Sequence, residues 1–348
     1  MKVIARGIVA RSTQRSGNYW PSVARLADGR LAAVWSGGRR NHICPFGRLS
    51  VAYSADEGRH WSPEAILFDT PLDDRDGGIL SWKGKTVVTT FNNTRAFQLE
   101  CLAKWPDNRR EGEEALIRSY IGTVSDEEER ASLGSWLLIG DGERFEKPQK
   151  LPITAPHGPI VGPRGELLYI GRAFMNAPQP PLAEGIYCMA PDDGCNWSQP
   201  VKAPEAPGGA FLCEPHGFAC KDGSVFVAAR AREGDRLTLY FNRICGGKFG
   251  EWTKSGVCGA PAHFLRLADG RVLMTYGRRE APFGIRARVS EDDGGHWGGE
   301  LILSDDGRDW DLGYPASVSL QNGNVLTVWY QYLPQDRLAS IFFAEWET

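Results

Sequence analysis

No stretch of the 348-residue sequence approaches the length and apolarity of a membrane span. The first residues, Met1-Lys-Val-Ile-Ala-Arg6, contain no long apolar core of the kind a secretory leader carries. The cysteines (44, 101, 188, 195, 213, 220, 245 and 258) form no Cys-x-x-Cys pair and show no zinc spacing, so buried, reduced thiols are expected in a chain this long. There is no excess of positive charge: the formal net charge is -3, and no DNA- or RNA-binding motif is visible. These absences lead to the expectation of a soluble, cytoplasmic protein with no membrane or nucleic-acid partner, no cofactor and no metal.

Turn formers, by contrast, are abundant: 41 glycines and 22 prolines accompany 42% hydrophobic residues. That mixture fits many short strands joined by tight turns. One octapeptide pattern, Ser-x-Asp-x-Gly-x-x-Trp, occurs at Ser54 to Trp61 and again at Ser290 to Trp297, and a third copy, Ala190 to Trp197, lacks only the serine. Each follows an alternating strand. In such a hairpin the Asp bonds its own turn, the Gly accepts a positive φ and the Trp packs beneath the loop. Three copies at one place in a recurring unit indicate a repeat architecture.

The unit is strand, Gly turn, strand, loop, strand, turn, strand, and it recurs six times. Its first turns include Ala27-Asp28-Gly29-Arg30, Lys221-Asp222-Gly223-Ser224, Ala268-Asp269-Gly270-Arg271 and Gln321-Asn322-Gly323-Asn324. Asp-Gly and Asn-Gly between alternating apolar residues are strong hairpin signals. Six such units predict an all-β, six-bladed β-propeller forming a single domain over residues 1–348. The last unit ends on its third strand, and Val3 to Val9 can supply the fourth and close the ring. Residues 96–133 interrupt the second blade. They are rich in Glu, Arg, Leu and Ala, and Ser125-Asp-Glu-Glu reads as a helix start, so a helical insertion on the rim is expected.

Antiparallel pairing puts the start of each first strand and the end of each second strand at the same end of the propeller. Those positions gather Trp20, Asp74, Arg75, Asp76, His157, Glu214, His216, His263 and Tyr314 with Arg39, Arg40, His42, Arg172, Arg230, Arg278, Arg279 and Trp329. Convergent Arg with His and carboxylates is the chemistry of an anion-binding pocket. Trp20 and Trp329 are read as faces on which a sugar stacks. Among the aspartates, crowding raises one pKa, which makes Asp74 a candidate acid/base; His42 is the other.

With these residues in place, the sequence resembles the sialidase superfamily of six-bladed propellers carrying Asp boxes. The resemblance covers most of the chain and implies a glycoside hydrolase. It implies that Tyr314, opening the sixth unit in Tyr314-Pro-Ala-Ser-Val, is the nucleophile. Glu214 is then the base that deprotonates it, and Arg230 a substrate-binding arginine. A neutral tyrosine nucleophile suits anionic substrates, which would repel a carboxylate. The family's first arginine is replaced by Tyr19-Trp20-Pro21, its acid/base loop reads Gly38 to Gly47 without Asp or Glu, and its fifth-blade arginine is unplaced. The expected partner is an acidic glycan from which a terminal carboxylated or sulfated sugar is released. Two alternatives stay open: a polysaccharide lyase acting beside a uronic acid, with His or Tyr as base, and a glycan-binding propeller without catalysis.

Overall fold

The computed structural model describes residues 2–104, 111–191, 197–234 and 236–348. The chain forms six antiparallel sheets arranged as a six-bladed β-propeller, and every blade but the sixth uses consecutive strands. Blade one is typical: Gly17–Arg25 innermost, then Leu31–Arg39, Arg48–Ser54 and Ala65–Phe68. Innermost strands of the others begin at Arg75 (blade two), Leu212 (four), Ala262 (five) and Gly313 (six), and in blade three the inner edge is split into Ile153–Thr154 and Ile160–Val161. Lys2–Ala10 pairs with Ser340–Glu347 as the outer strand of blade six, so the ring closes with the N-terminal strand, as expected.

The turns form for local reasons. Asp28, Asp222, Asp269 and Asn322 each accept a hydrogen bond from the N–H two residues on, at 2.9–3.0 Å. The glycine between has φ of 84–92°, which a side chain would resist. The octapeptides at Ser54 and Ser290 fold alike: the serine hydroxyl bridges the Asp and the Gly N–H, and the Asp accepts from the backbone of His60 or His296. In the third copy, residues 192–196 lie outside the described residues.

Six apolar clusters lie between neighbouring blades, one at each junction. A sheet buried on both faces has side chains of both parities in a core. Trp329 belongs to the junction of blades five and six, packed with Ile285, Leu303 and Trp346 and only 1% exposed. It therefore offers no face to a sugar, and the reading of Trp329 as a stacking residue is corrected. The described cysteines are all free; Cys245 and Cys258 are exposed and not buried, because they occupy the outer part of blade four.

The second blade's insertion holds helices α1 (Arg95–Lys104), α2 (Glu113–Thr123) and α3 (Asp126–Ser132). Ser125 caps α3 with Glu128 in a reciprocal capping box. α2 packs Ile117 and Ile121 against Leu102 and Phe46, and its Tyr120 ring lies 5.0 Å from that of Phe46 in blade one. Glu113 pairs at 2.9 Å with Arg337 of blade six. The helices are thus docked across the rim and form a wall of the cleft described next.

Candidate active site

The positions of the central residues follow from a repeated bulge. In blades one, two, four and six the innermost strand slips register near its start. The extra residue there is left-handed although it is not glycine: Trp20 (φ 49°), Asp76 (φ 54°), Glu214 (φ 53°) and Tyr314 (φ 50°). Gly158 has φ 76° at the same place in blade three. A bulge re-aims its side chain, and a left-handed non-glycine residue costs about 1–3 kcal/mol. Four strained residues at equivalent positions make this end of the propeller the candidate functional mouth. A sequence signal existed for it: Trp20, Gly158, Glu214, Ala260 and Tyr314 are each followed by proline, and Asp76 by Gly77.

These residues meet at a cleft of about 1390 Å³, lined by Tyr314, Glu214, Asp76, Arg75, Arg230, Arg279, His42, Arg40, Arg172 and Asp311 among others, and by Phe97, Cys101, Leu102 and Lys104 of α1. The Tyr314 hydroxyl donates to Glu214 Oε1 at 2.5 Å, and Arg230 Nη2 is 2.8 Å from the same oxygen. Burial, with the charges of Glu214 and Asp76, pushes the Tyr314 phenol well above its ordinary range, against Arg230 and Arg279. Tyr314 is therefore a neutral phenol whose proton points at a carboxylate.

Three guanidinium groups bear on this tyrosine. Arg230 does so through Glu214. Arg279 lies 5.6 Å from the centre of the Tyr314 ring, held by the Leu312 carbonyl at 2.9 Å and by the Tyr330 hydroxyl at 3.2 Å. Arg75 stacks 4.1 Å over the Trp20 ring, within 3.6 Å of Asp73 and of Asp76. Of the two arginines expected at the end of the second strand of blade five, Arg279 is thus the one that reaches the tyrosine. Trp20 is buried and acts as the platform for Arg75, not as an open stacking face.

On the wall, Asp311 accepts hydrogen bonds from Tyr330 and Tyr332, each at 2.7 Å, and its Oδ2 lies 3.8 Å from His42 Nδ1. Burial would raise the Asp311 carboxyl, but His42, Arg279 and the Tyr332 hydroxyl outweigh it and hold it well below the usual range. The His42 ring also stands edge-on to Trp20, 4.9 Å between centroids.

Several expected residues are placed elsewhere. Asp74 is fully buried and turned to the Thr70 backbone and hydroxyl and to Asn92, so it does not line the cleft; burial pushes its carboxyl up to about 7. Asp76, two residues on, faces the cleft instead; burial raises it, opposed by Arg75. Arg39 is wholly buried, paired with Asp73 and bonded to the carbonyls of Asp74 and His42. A Cβ on Gly47 would stand 2.2 Å from its guanidinium, so glycine leaves room for it. Arg278 turns outward to Glu300. Arg172 and Arg40 reach the cleft, Arg172 held by Glu184 and Phe211. His157, His216 and His263 cluster on the axis below the cleft, with rings 4.7–5.5 Å apart. His216 and His263 accept the N–H groups of Phe264 and Ser317 on neighbouring blades, a joining role and not a lining one. Among the described residues no group of His, Cys, Asp and Glu has the geometry to hold a metal ion.

No family model matches the sequence, and a search of curated proteins returns no match. Solved structures do match. A protein of unknown function from Dyadobacter fermentans superposes with a TM-score of 0.78 at 22% identity, covering 99% of this chain and 98% of that one. The leech intramolecular trans-sialidase gives 0.67 at 13% identity over 100% of this chain and 70% of that one. The Penicillium chrysogenum α-L-arabinanase gives 0.65 at 12% identity, covering 99% of each. These likenesses establish the fold class, a six-bladed propeller shared with enzymes that process glycans.

Proposed function

We propose that the protein is a glycoside hydrolase that releases a terminal acidic sugar through a tyrosyl-enzyme intermediate. The observation that carries this is the 2.5 Å hydrogen bond from Tyr314 to Glu214 at the floor of a cationic cleft. The lining holds eight arginines and Lys104 against four carboxylates (Asp76, Glu214, Glu280 and Asp311), although the whole chain is slightly acidic. An anionic sugar is favoured by that field. Arg75, Arg230 and Arg279 flank Tyr314 and would hold the substrate's carboxylate or sulfate. Glu214 takes the phenolic proton as Tyr314 Oη attacks the anomeric carbon. The likeness to a trans-sialidase and to an arabinanase supports glycan chemistry and leaves the sugar to experiment.

One observation favours a second reading. His42 paired with Asp311 in an arginine-rich cleft has the parts of a base for β-elimination beside a uronate. Product mass separates the two. Incubation with a panel of acidic oligosaccharides is expected to give products whose summed mass exceeds the substrate by one water. Fragments without added water would establish elimination, and no cleavage of any member would favour a glycan-binding propeller.

A further inference from the structure

We propose that His42, oriented by Asp311, is the group that protonates the leaving oxygen and then deprotonates the incoming water; this rests on the hydrolase reading above. The acid in such a reaction must stand where the rest of the glycan leaves, toward the open side of the cleft, while the nucleophile stands beneath the sugar. Asp76 sits on the floor with Glu214 and Tyr314, on an equivalent bulge, 6% exposed and set against Arg75. Asp311 has each oxygen engaged by a tyrosine. The His42 side chain is 40% exposed on the wall. Its ring and that of Tyr314 lean on the same indole, Trp20, at 4.9 and 6.3 Å. With Nδ1 at ion-pair distance from Asp311 Oδ2, 3.8 Å, Nε2 is the nitrogen left for the substrate, and the Asp311 carboxylate would compensate an imidazolium charge.

The protons balance. As Tyr314 Oη bonds to the anomeric carbon and its proton passes to Glu214, the bond from that carbon to the leaving oxygen breaks, and the oxygen takes the proton from Nε2. Water then attacks the anomeric carbon and gives a proton back to Nε2. The tyrosyl bond breaks, and the phenolate recovers its proton from Glu214. Asp76 is left as an acceptor for a substrate hydroxyl.

The test uses 4-nitrophenyl and methyl glycosides of N-acetylneuraminic acid and of glucuronic acid, with the full-length protein and circular dichroism as a check of folding. His42→Ala is expected to lower turnover of the methyl glycoside by about 10²–10⁴-fold and of the nitrophenyl glycoside far less, since a good leaving group needs no proton. Azide is expected to restore turnover of the nitrophenyl glycoside in that variant, where loss of the base slows release of the tyrosyl intermediate. Asp311→Asn, as a positioning change, is expected to reproduce the same dependence on leaving group more weakly. If Asp76→Asn shows that dependence and His42→Ala slows both substrates equally, the assignment is overturned. If Tyr314→Phe retains turnover of either substrate, or the wild type cleaves none of the four, the hydrolase reading itself fails and this assignment falls with it.

Discussion

Both ends of the propeller use the same backbone device for different purposes. Among the described residues seven other than glycine are left-handed: Trp20, Asp76, Glu214 and Tyr314 at the cleft, and Glu57, Lys83 and Asp293 at the opposite end. Glu57 and Asp293 lie in the two octapeptides, and their carboxylates tie neighbouring blades. Glu57 bonds Arg25 at 2.7 and 2.8 Å and the Gln321 N–H at 2.8 Å. Asp293 bonds Arg266 and the Lys221 N–H. There the strain is offset by bonds that hold the ring together. At the cleft, Glu214 Oε1 is engaged by Tyr314 and Arg230, but Asp76 Oδ1 and Glu214 Oε2 make no hydrogen bond within the protein, and the strained residues converge on the cleft. Strain whose carboxylates are fully engaged reads as architecture, and strain that leaves carboxylate oxygens unbonded in a cleft reads as a candidate site.

The largest effect expected from this contrast is at Tyr314. Tyr314→Phe removes one oxygen and leaves Glu214 paired with Arg230. Turnover is expected to fall at least about 10³-fold, with unfolding free energy within about 1 kcal/mol of wild type. Steady-state kinetics and urea denaturation on one preparation measure both. A variant that stayed active would remove the cleft from the functional side of the comparison.

Acid is expected to attack the two ends at different pH. Burial pushes His263 down to about 3, and burial with the charge of His263 pushes His157 and His216 well below their ordinary value. In the unfolded chain these imidazoles bind protons near pH 6.5. Between the folded and unfolded values the unfolded state holds more protons, so stability is complete above about pH 6.5 and declines as pH falls toward 3, by about 1.4 kcal/mol per pH unit for each histidine. At the opposite end, Asp56 is held down to about 2 by the backbone and ring of His60, and its contribution is lost only below about pH 4. Urea midpoints at pH 7, 5.5 and 4.5 should fall steadily, and His263→Gln should flatten the slope. A flat wild-type profile would show that the axial rings are charged or solvated in the fold.

The turn end was legible in the sequence because its causes are local: an Asp or Asn two residues before the N–H it binds, and a Gly between them. The cleft was legible only as a neighbourhood. Tyr314 and Glu214 stood out by resemblance, but Asp73-Asp74-Arg75-Asp76 does not say which carboxylate faces the axis. The bulge at Asp76 decides that, and a bulge shifts every preceding side chain. Parity misled in the same way at Trp329, whose neighbours Val328 and Tyr330 pack on blade one while it packs on blade five. Arg278 and Arg279 are adjacent and diverge, one to Glu300 and one to Tyr314. Asp311 carried no signal, since only the closed ring brings it to His42.

The smallest expected effect tests the contrast most directly. Glycine tolerates a left-handed backbone, so Glu57→Gly and Asp76→Gly both relieve about 1 kcal/mol of strain. At Glu57 that gain is outweighed by the lost bidentate pair with Arg25 and the lost bond to Gln321, and a net destabilisation of about 1 kcal/mol is expected. At Asp76 the substitution removes a buried carboxylate with an unbonded oxygen, and Arg75 keeps Asp73 as a partner. There the midpoint of urea denaturation is expected to rise by the equivalent of about 1 kcal/mol while turnover falls with the loss of an acceptor for a substrate hydroxyl. Opposite signs at two residues with the same φ would separate strain kept for assembly from strain kept for chemistry. Equal shifts would mean that Asp76 is held in place by the fold alone.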